Sequence, residues 1–148
     1  MMQDLSNRAY ISEFNQISKE CDMIYHSAAL KLGISDCAFW IFYTLSDTDR
    51  QYTQSEICDS SFMSRQTVNS ALKKLEKDGY LTLCRSQDKT GKTISLTEKG
   101  TDFADRYIRP ILRAEENACG MFTEEEKEWF LKTYRLLTER LGQEISRV

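Results

Sequence analysis

The sequence predicts a mainly α fold carrying a small β-hairpin (α+β), and three observations predict it. Residues 65–78 repeat apolar side chains at helical spacing, between a good N-cap and a glycine stop. Two short stretches of period-two alternation follow, Tyr80 to Arg85 and Lys92 to Leu96, around the polar loop SQDKTG. Long apolar stripes at helical spacing run through both ends of the chain.

The N-terminal stripe comprises Tyr10, Phe14, Ile17, Cys21, Ile24 and Ala28, spaced 4, 3, 4, 3, 4, a heptad-like seam that Leu5 and Leu32 extend. This predicts a long helix ending at Gly33. Ser35 caps the next helix, in which Phe39, Trp40, Ile41, Phe42, Tyr43 and Leu45 crowd every side. Apolar residues all round a short helix imply burial on most sides, so it is expected to be the central helix of its lobe. Asp47 to Gln51 reads as a polar loop. Thr53 then opens another helix, and Glu56 three residues later completes a capping box.

Ser64 caps the helix that follows, which runs from Arg65 to about Asp78 and stops at Gly79. Val68, Leu72 and Leu75 fall within about 40° of one another on it, with Ala71 close by. The opposite side carries Gln66, Ser70, Lys73 and Lys77, flanked by Thr67, Asn69 and Lys74. Helix, turn, helix and hairpin in that order describe a winged helix-turn-helix. Thr97 starts a further helix with Phe103, Tyr107, Ile108, Ile111 and Leu112 on its apolar side, and Pro110 inside it is expected to bend it. Gly120 punctuates. Thr123 and Glu126 form a second capping box, opening a last helix striped with Trp129, Phe130, Tyr134, Leu137, Leu141 and Ile145. Both terminal stripes need covering, and pairing across a two-fold axis would cover them. The expected organisation is one domain over 1–148: a DNA-binding lobe at 34–100, flanked by dimerisation helices at 1–33 and 101–148.

Charge points to the partner. The 148-residue chain carries a net −3, with 41% hydrophobic and 29% charged residues, which suits a soluble globular protein. Residues 65–92, however, hold seven Lys/Arg against three Asp/Glu, whereas 1–64 hold four against nine. A cationic patch confined to one helix and its hairpin matters more for DNA than the whole-chain balance. Gln and Asn can pair with adenine edges, Ser and Thr can serve either donors or acceptors, and lysines suit phosphates. The expected DNA-binding residues are Ser64, Arg65, Gln66, Thr67, Asn69, Ser70, Lys73 and Lys74 on the helix, with Arg85, Lys89 and Lys92 on the wing.

Other chemistry is thinly represented. Five widely spaced cysteines form no C-x-x-C pair, and His26 is the only histidine, so neither a metal finger nor a cofactor is expected. There is no Gly-rich phosphate loop and no nucleophile elbow, and the expectation is that the chain is not an enzyme. Met1 to Leu5 is no basic-plus-apolar leader, and apolar runs such as Cys37 to Tyr43 are too short to cross a bilayer, so a cytoplasmic protein is expected.

With these elements in place the chain resembles the MarR family of bacterial transcriptional regulators. SRQTVNSALKKLEKDGYL (Ser64 to Leu81) is similar to the family's recognition helix with its "LEKxGL" exit, and ISLTEKG (Ile94 to Gly100) to the signature that closes the wing. The resemblance covers nearly the whole chain. It implies a homodimer on a pseudo-palindromic operator, commonly a repressor released by a small ligand or by oxidation. It places base reading on Ser64, Gln66, Thr67 and Ser70, with Asn69 and Lys73 beside them. The wing departs from the pattern: Asp88-Lys89-Thr90 has threonine where the family's "Asp-x-Arg" has arginine, so Lys89 or Lys92 would have to substitute without the guanidinium fork. The resemblance also implies an effector crevice, for which Tyr25, His26, Trp40, Tyr43 and Tyr107 are the candidates and a small aromatic or phenolic molecule the expected ligand. Two alternatives stand beside this reading: a thiol-based redox-sensing regulator, because Cys21 lies on the dimer seam, and a winged-helix protein-interaction module without DNA binding.

Overall fold

The computed structural model describes residues 6–47, 50–61, 63–85 and 91–148. The chain divides into two units, Met1–Pro110 and Ile111–Val148.

The first unit opens with α1 (Asn7–Lys31), whose N-cap Ser6 accepts from the backbone N–H of Ala9. It closes on Gly33 with two reversed hydrogen bonds, Gly33 N–H to Leu30 C=O (3.0 Å) and Ile34 N–H to Ala29 C=O (3.2 Å). The next helix, α2 (Asp36–Asp47), is bent 94° from α1. Phe39 and Phe42 are completely buried on it, and it packs against α1, the recognition helix and the helix after the wing. As its all-round apolar sequence predicts, it is the centre of the lobe.

A short strand, β1 (Tyr52–Thr53), precedes α3 (Gln54–Ser60), and Thr53 and Glu56 make the reciprocal capping box. The recognition helix α4 (Arg65–Lys77) is capped by Ser64 and buries Val68, Leu72 and Leu75. Gly79 ends it at φ +79°, donating to Glu76 C=O (3.0 Å), while Tyr80 N–H reaches Leu75 C=O (2.9 Å). A left-handed residue at this stop is what glycine supplies without steric cost.

The wing strands β2 (Leu81–Arg85) and β3 (Lys92–Leu96) pair antiparallel, Leu83 opposite Ile94. Period-two alternation predicts this hairpin and no more. The structure adds β1 on the far side of β3, giving the order β1-β3-β2. Two residues cannot display an alternation, so β1 has the sequence signature of a loop.

Helix α5 (Glu98–Phe103) starts from Thr97, whose hydroxyl oxygen accepts from Gly100 N–H and donates to Gly79 C=O (2.6 Å). Gly100 lies so close to the wing that an added Cβ would stand 1.9 Å from the Tyr80 carbonyl oxygen. The helix then widens into a π turn over Ala104–Ile108 before α6 (Arg109–Cys119) resumes with Pro110. Proline lacks the N–H that would bond one turn back, and its ring crowds that carbonyl. An inserted π turn just ahead of it re-routes the carbonyls.

In the second unit, the rest of α6 is followed by α7 (Glu124–Ile145), opened by the Thr123–Glu126 capping box. No residue of α6 or α7 is buried. No single helix among the described residues is long and apolar enough to cross a membrane.

Candidate nucleic-acid interface

The interface is built on α4. Because Val68, Leu72 and Leu75 are buried at 0%, 0% and 4% exposure, the opposite side of the helix is obliged to face solvent. Ser64, Arg65, Gln66, Thr67, Ser70, Lys73 and Lys74 are all exposed, and Asn69 is half-buried at the edge.

These side chains are not equivalent. Ser64 Oγ accepts from Thr67 N–H (3.1 Å) and shares a 2.7 Å hydrogen bond with Thr67 Oγ1, so this pair organises the first turn. Arg65 is paired with Asp59 of α3 at 2.5 Å, and Lys74 with Asp78 at 3.2 Å. Asn69 Oδ1 accepts from Gln54 Nε2 (2.7 Å) and from the Cys58 thiol (3.5 Å), binding α3 to α4. Gln66, Ser70 and Lys73 have side chains with no partner among the described residues. They lie together on the outward face, presenting an amide, a hydroxyl and an ammonium.

The wing is fastened to this helix by the one acidic side chain of α4. Glu76 Oε1 accepts from the backbone N–H of Leu83 (3.2 Å), occupying a donor on the outer edge of β2. Arg85 and Lys92 stand directly opposite each other at the end of the hairpin, both exposed. Like charges in register across strands repel, and an anion between them relieves the repulsion. Lys89, in the stretch 86–90, lies outside the described residues, as does Leu5 of the N-terminal seam.

The five aromatic and histidine candidates separate. Tyr25, Trp40 and Tyr43 join Phe39 in one ring cluster, with Trp40 4.9 Å from Tyr25 and 5.2 Å from Tyr43. Tyr107 belongs to a second cluster, 5.1 Å from Phe103, which in turn packs on Phe42 and Tyr80. His26 Nδ1 sits 2.9 Å from both carboxylate oxygens of Asp36, bracing the corner between α1 and α2. Of the five, only Trp40 lines a cavity of about 250 Å³ between α2 and α3. Sequence spacing carries no sign of that cavity or of the Asn69 and Glu76 contacts, because each joins elements that are separate in sequence.

Cys21, Cys84 and Cys119 are exposed, and Cys37 and Cys58 are buried. Burial pushes both buried thiols above the ordinary value of 9.0, the direction that suppresses thiolate chemistry. Among the described residues no cluster of His, Cys, Asp or Glu could hold a metal ion.

The comparisons with known proteins agree on the kind of molecule. The sequence profile of the MarR family matches residues 32–89, from the end of α1 to the wing. A Bacillus subtilis HTH-type transcriptional regulator, YwoH, is 25% identical over 134 residues, covering 90% of this chain and 97% of its own length. The HTH-type transcriptional repressor YetL of the same organism is 25% identical over 135 residues, covering 90% of this chain and 80% of its own. Among solved structures, Staphylococcus aureus MepR in its DNA complex superposes with a TM-score of 0.72 at 21% identity, over 92% of this chain and 99% of that one.

Proposed function

We infer that this chain is a winged helix-turn-helix transcriptional regulator of the MarR type, a homodimeric repressor reading a pseudo-palindromic operator. One observation carries the reading. The outward face of α4 is polar and cationic, has side chains held ready by neighbouring ion pairs and caps, and sits beside a wing ending in two facing cations.

Gln66 and Ser70 read base edges in the major groove, where an amide can make a paired hydrogen bond to adenine. Lys73 and Lys74, with Arg85, Lys89 and Lys92 of the wing, take phosphates and the adjoining minor groove. Ser64 and Thr67 order the first turn and serve its base contacts through their remaining lone pairs. Arg65 bridges to phosphate from its place beside Asp59. Asn69 positions the helix, holding it against α3.

Dimerisation follows from what a single chain leaves uncovered. Ile17 and Ile24 on α1 are 59% and 68% exposed, and Trp129 and Ile145 on α7 are 67% and 68% exposed. Apolar stripes of this length are covered by a second copy, which presents two recognition helices roughly 34–36 Å apart, about one turn of DNA. The single domain over 1–148, with its lobe at 34–100 and dimerisation helices on either side, is the unit of that assembly. A small aromatic or phenolic effector releases the DNA, and Tyr25, Trp40 and Tyr43 of one ring cluster, with His26 and Tyr107, are the side chains proposed to meet it. The protein works in the cytoplasm and catalyses no reaction.

Titration of the purified protein against the DNA upstream of its own coding sequence, over rising salt, tests this reading. Saturable binding by a dimer, weakening steeply between low and physiological salt, is the expected result. A protein that stays monomeric, or whose binding ignores salt, contradicts it.

A further inference from the structure

The stop of the recognition helix is held from outside by the start of α5. Thr97 Oγ1 donates to Gly79 C=O (2.6 Å), Thr97 N–H donates to Tyr80 C=O (3.1 Å), and Lys99 Nζ donates to Asp78 C=O (2.6 Å). Three successive carbonyls thus take their donors from residues 97–99. Carbonyls at a helix end have no partner within the helix, so α5 supplies what α4 cannot supply to itself.

The two Thr97 bonds come with the backbone path, because that residue caps α5. The Lys99 bond does not. Lys99 is exposed, and a lysine stem there is free to leave its ammonium in water. Instead Nζ also lies 4.2 Å from the centre of the Tyr80 ring, so a charge-assisted hydrogen bond and a cation–π contact meet on one ammonium. The ring is itself wedged, 5.6 Å from Phe42 and 5.3 Å from Phe103. The charge sits where the α4 dipole is negative. Asp78 is gripped twice: its carboxylate pairs with Lys74 of α4 and its carbonyl with Lys99 of α5.

The first half of α4 is tied to α3 through Asn69 and Gln54. Its end is tied to α5, from which the chain runs on through the π turn into α6. With α1, this is one of the two places at which the lobe joins the terminal helices. A helix held at both ends keeps one direction relative to those junctions. Released at one end, it pivots about the other.

We propose that Lys99 is a positioning residue of the recognition helix, latching the end of α4 to α5 through Asp78 and Tyr80 and so fixing the separation at which two copies offer α4 to a duplex. The separation rests on the homodimeric DNA-binding reading; the latch itself does not.

The test compares full-length Lys99→Met, which keeps the apolar stem, with Lys99→Arg, which keeps the charge, and has two arms. Without DNA, amide hydrogen exchange at Gly79 and Tyr80, whose N–H groups close the α4 stop, should run several-fold faster in Lys99→Met, while Val68 and Leu72 in the core stay unchanged. With DNA, the probes are the tightest duplex the parent protein selects from a randomised pool, and the same duplex with one base pair inserted or removed at its centre. The parent should lose about tenfold or more on either altered spacing. Lys99→Met should lose roughly three- to tenfold on the selected duplex and little on the altered ones, narrowing that ratio at an unchanged salt slope. Lys99→Arg should restore most of the discrimination. Lys99→Gln serves in both arms if Lys99→Met fails to fold. Unchanged exchange at Gly79 and Tyr80 overturns the latch. Equal losses on all three spacings, with a salt slope lower by about one, would make Lys99 a phosphate contact and overturn the positioning role, as would an unaltered spacing profile. A parent protein that selects no duplex counts against the regulator reading alone, since the exchange arm contains no DNA.

Discussion

Asn69 of the recognition helix and Gln54 of α3 are joined by a 2.7 Å hydrogen bond, with the Cys58 thiol donating to the same oxygen at 3.5 Å. The arrangement takes Asn69, whose amide would suit an adenine edge, and uses it to lock the two helices of the motif together. Asn69→Ala leaves a part-buried amide donor and a thiol without their acceptor, which should cost about 1–2 kcal/mol of stability. Its loss of DNA affinity should be the same on operator and on scrambled duplex, since what it sets is the position of α4. Denaturant unfolding with paired DNA titrations checks both, and a selective loss on the operator would return Asn69 to base reading.

The facing cations of the wing yield a prediction with opposite signs. Arg85 and Lys92 are cross-strand partners. Removing one should relieve repulsion in the free protein, stabilising it by a few tenths to about 1 kcal/mol, and at the same time weaken DNA binding. Thermal unfolding and DNA titration of Lys92→Ala measure the two effects. A variant both less stable and unchanged on DNA would show that the pair has no role in holding phosphate.

Gly100 explains part of the chemistry of the wing's exit. With a Cβ required to sit 1.9 Å from the Tyr80 carbonyl oxygen, Gly100→Ala must part α5 from the start of β2. A destabilisation of about 1–3 kcal/mol or more is expected, comparable to overpacking a core. Gly142, with nothing near its Cβ position, is the control, and Gly142→Ala in the last turn of α7 should be neutral or stabilising. Equal effects at the two positions would contradict the close approach.

The features that sequence reveals and those it hides differ in the range of the interaction behind them. Caps and stops are local: Ser64, Thr53 with Glu56, Thr123 with Glu126, and Gly79 all sit where their short-range chemistry requires, and the element bounds follow from them. The outward face of α4 is legible because burial of Val68, Leu72 and Leu75 dictates it. Pro110 announces a disturbance, but not that it takes the form of a π turn one step earlier. Strand β1 is too short to show a period. The engagement of Asn69, the edge contact of Glu76 and the cavity beside Trp40 depend on tertiary packing, to which residue spacing within one helix is blind.

The thiols provide a check on the packing itself. Under native conditions Cys84 and Cys119 should alkylate readily, Cys21 more slowly because the second copy covers the α1 seam, and Cys37 and Cys58 only as the lobe opens. Burial raises both buried thiols, so they hold their protons at a pH where the unfolded chain has begun to release them. Folding stability from this source is therefore intact below the ordinary thiol value of 9.0 and falls as pH climbs beyond it. Unfolding curves on either side of that value should show the decline, and Cys37→Ala should reduce it. Modification of all five thiols at one rate would contradict the buried placement.

Sequence reading by the outward side chains of α4 is tested most directly by Gln66→Ala measured against Lys73→Ala. On the cognate operator Gln66→Ala should cost about 1–3 kcal/mol while leaving a scrambled duplex unaffected. Lys73→Ala should weaken both duplexes alike and lower the salt slope by about one for each phosphate the lysine neutralises. Equal losses for Gln66→Ala on operator and scrambled DNA, or none on either, would contradict it.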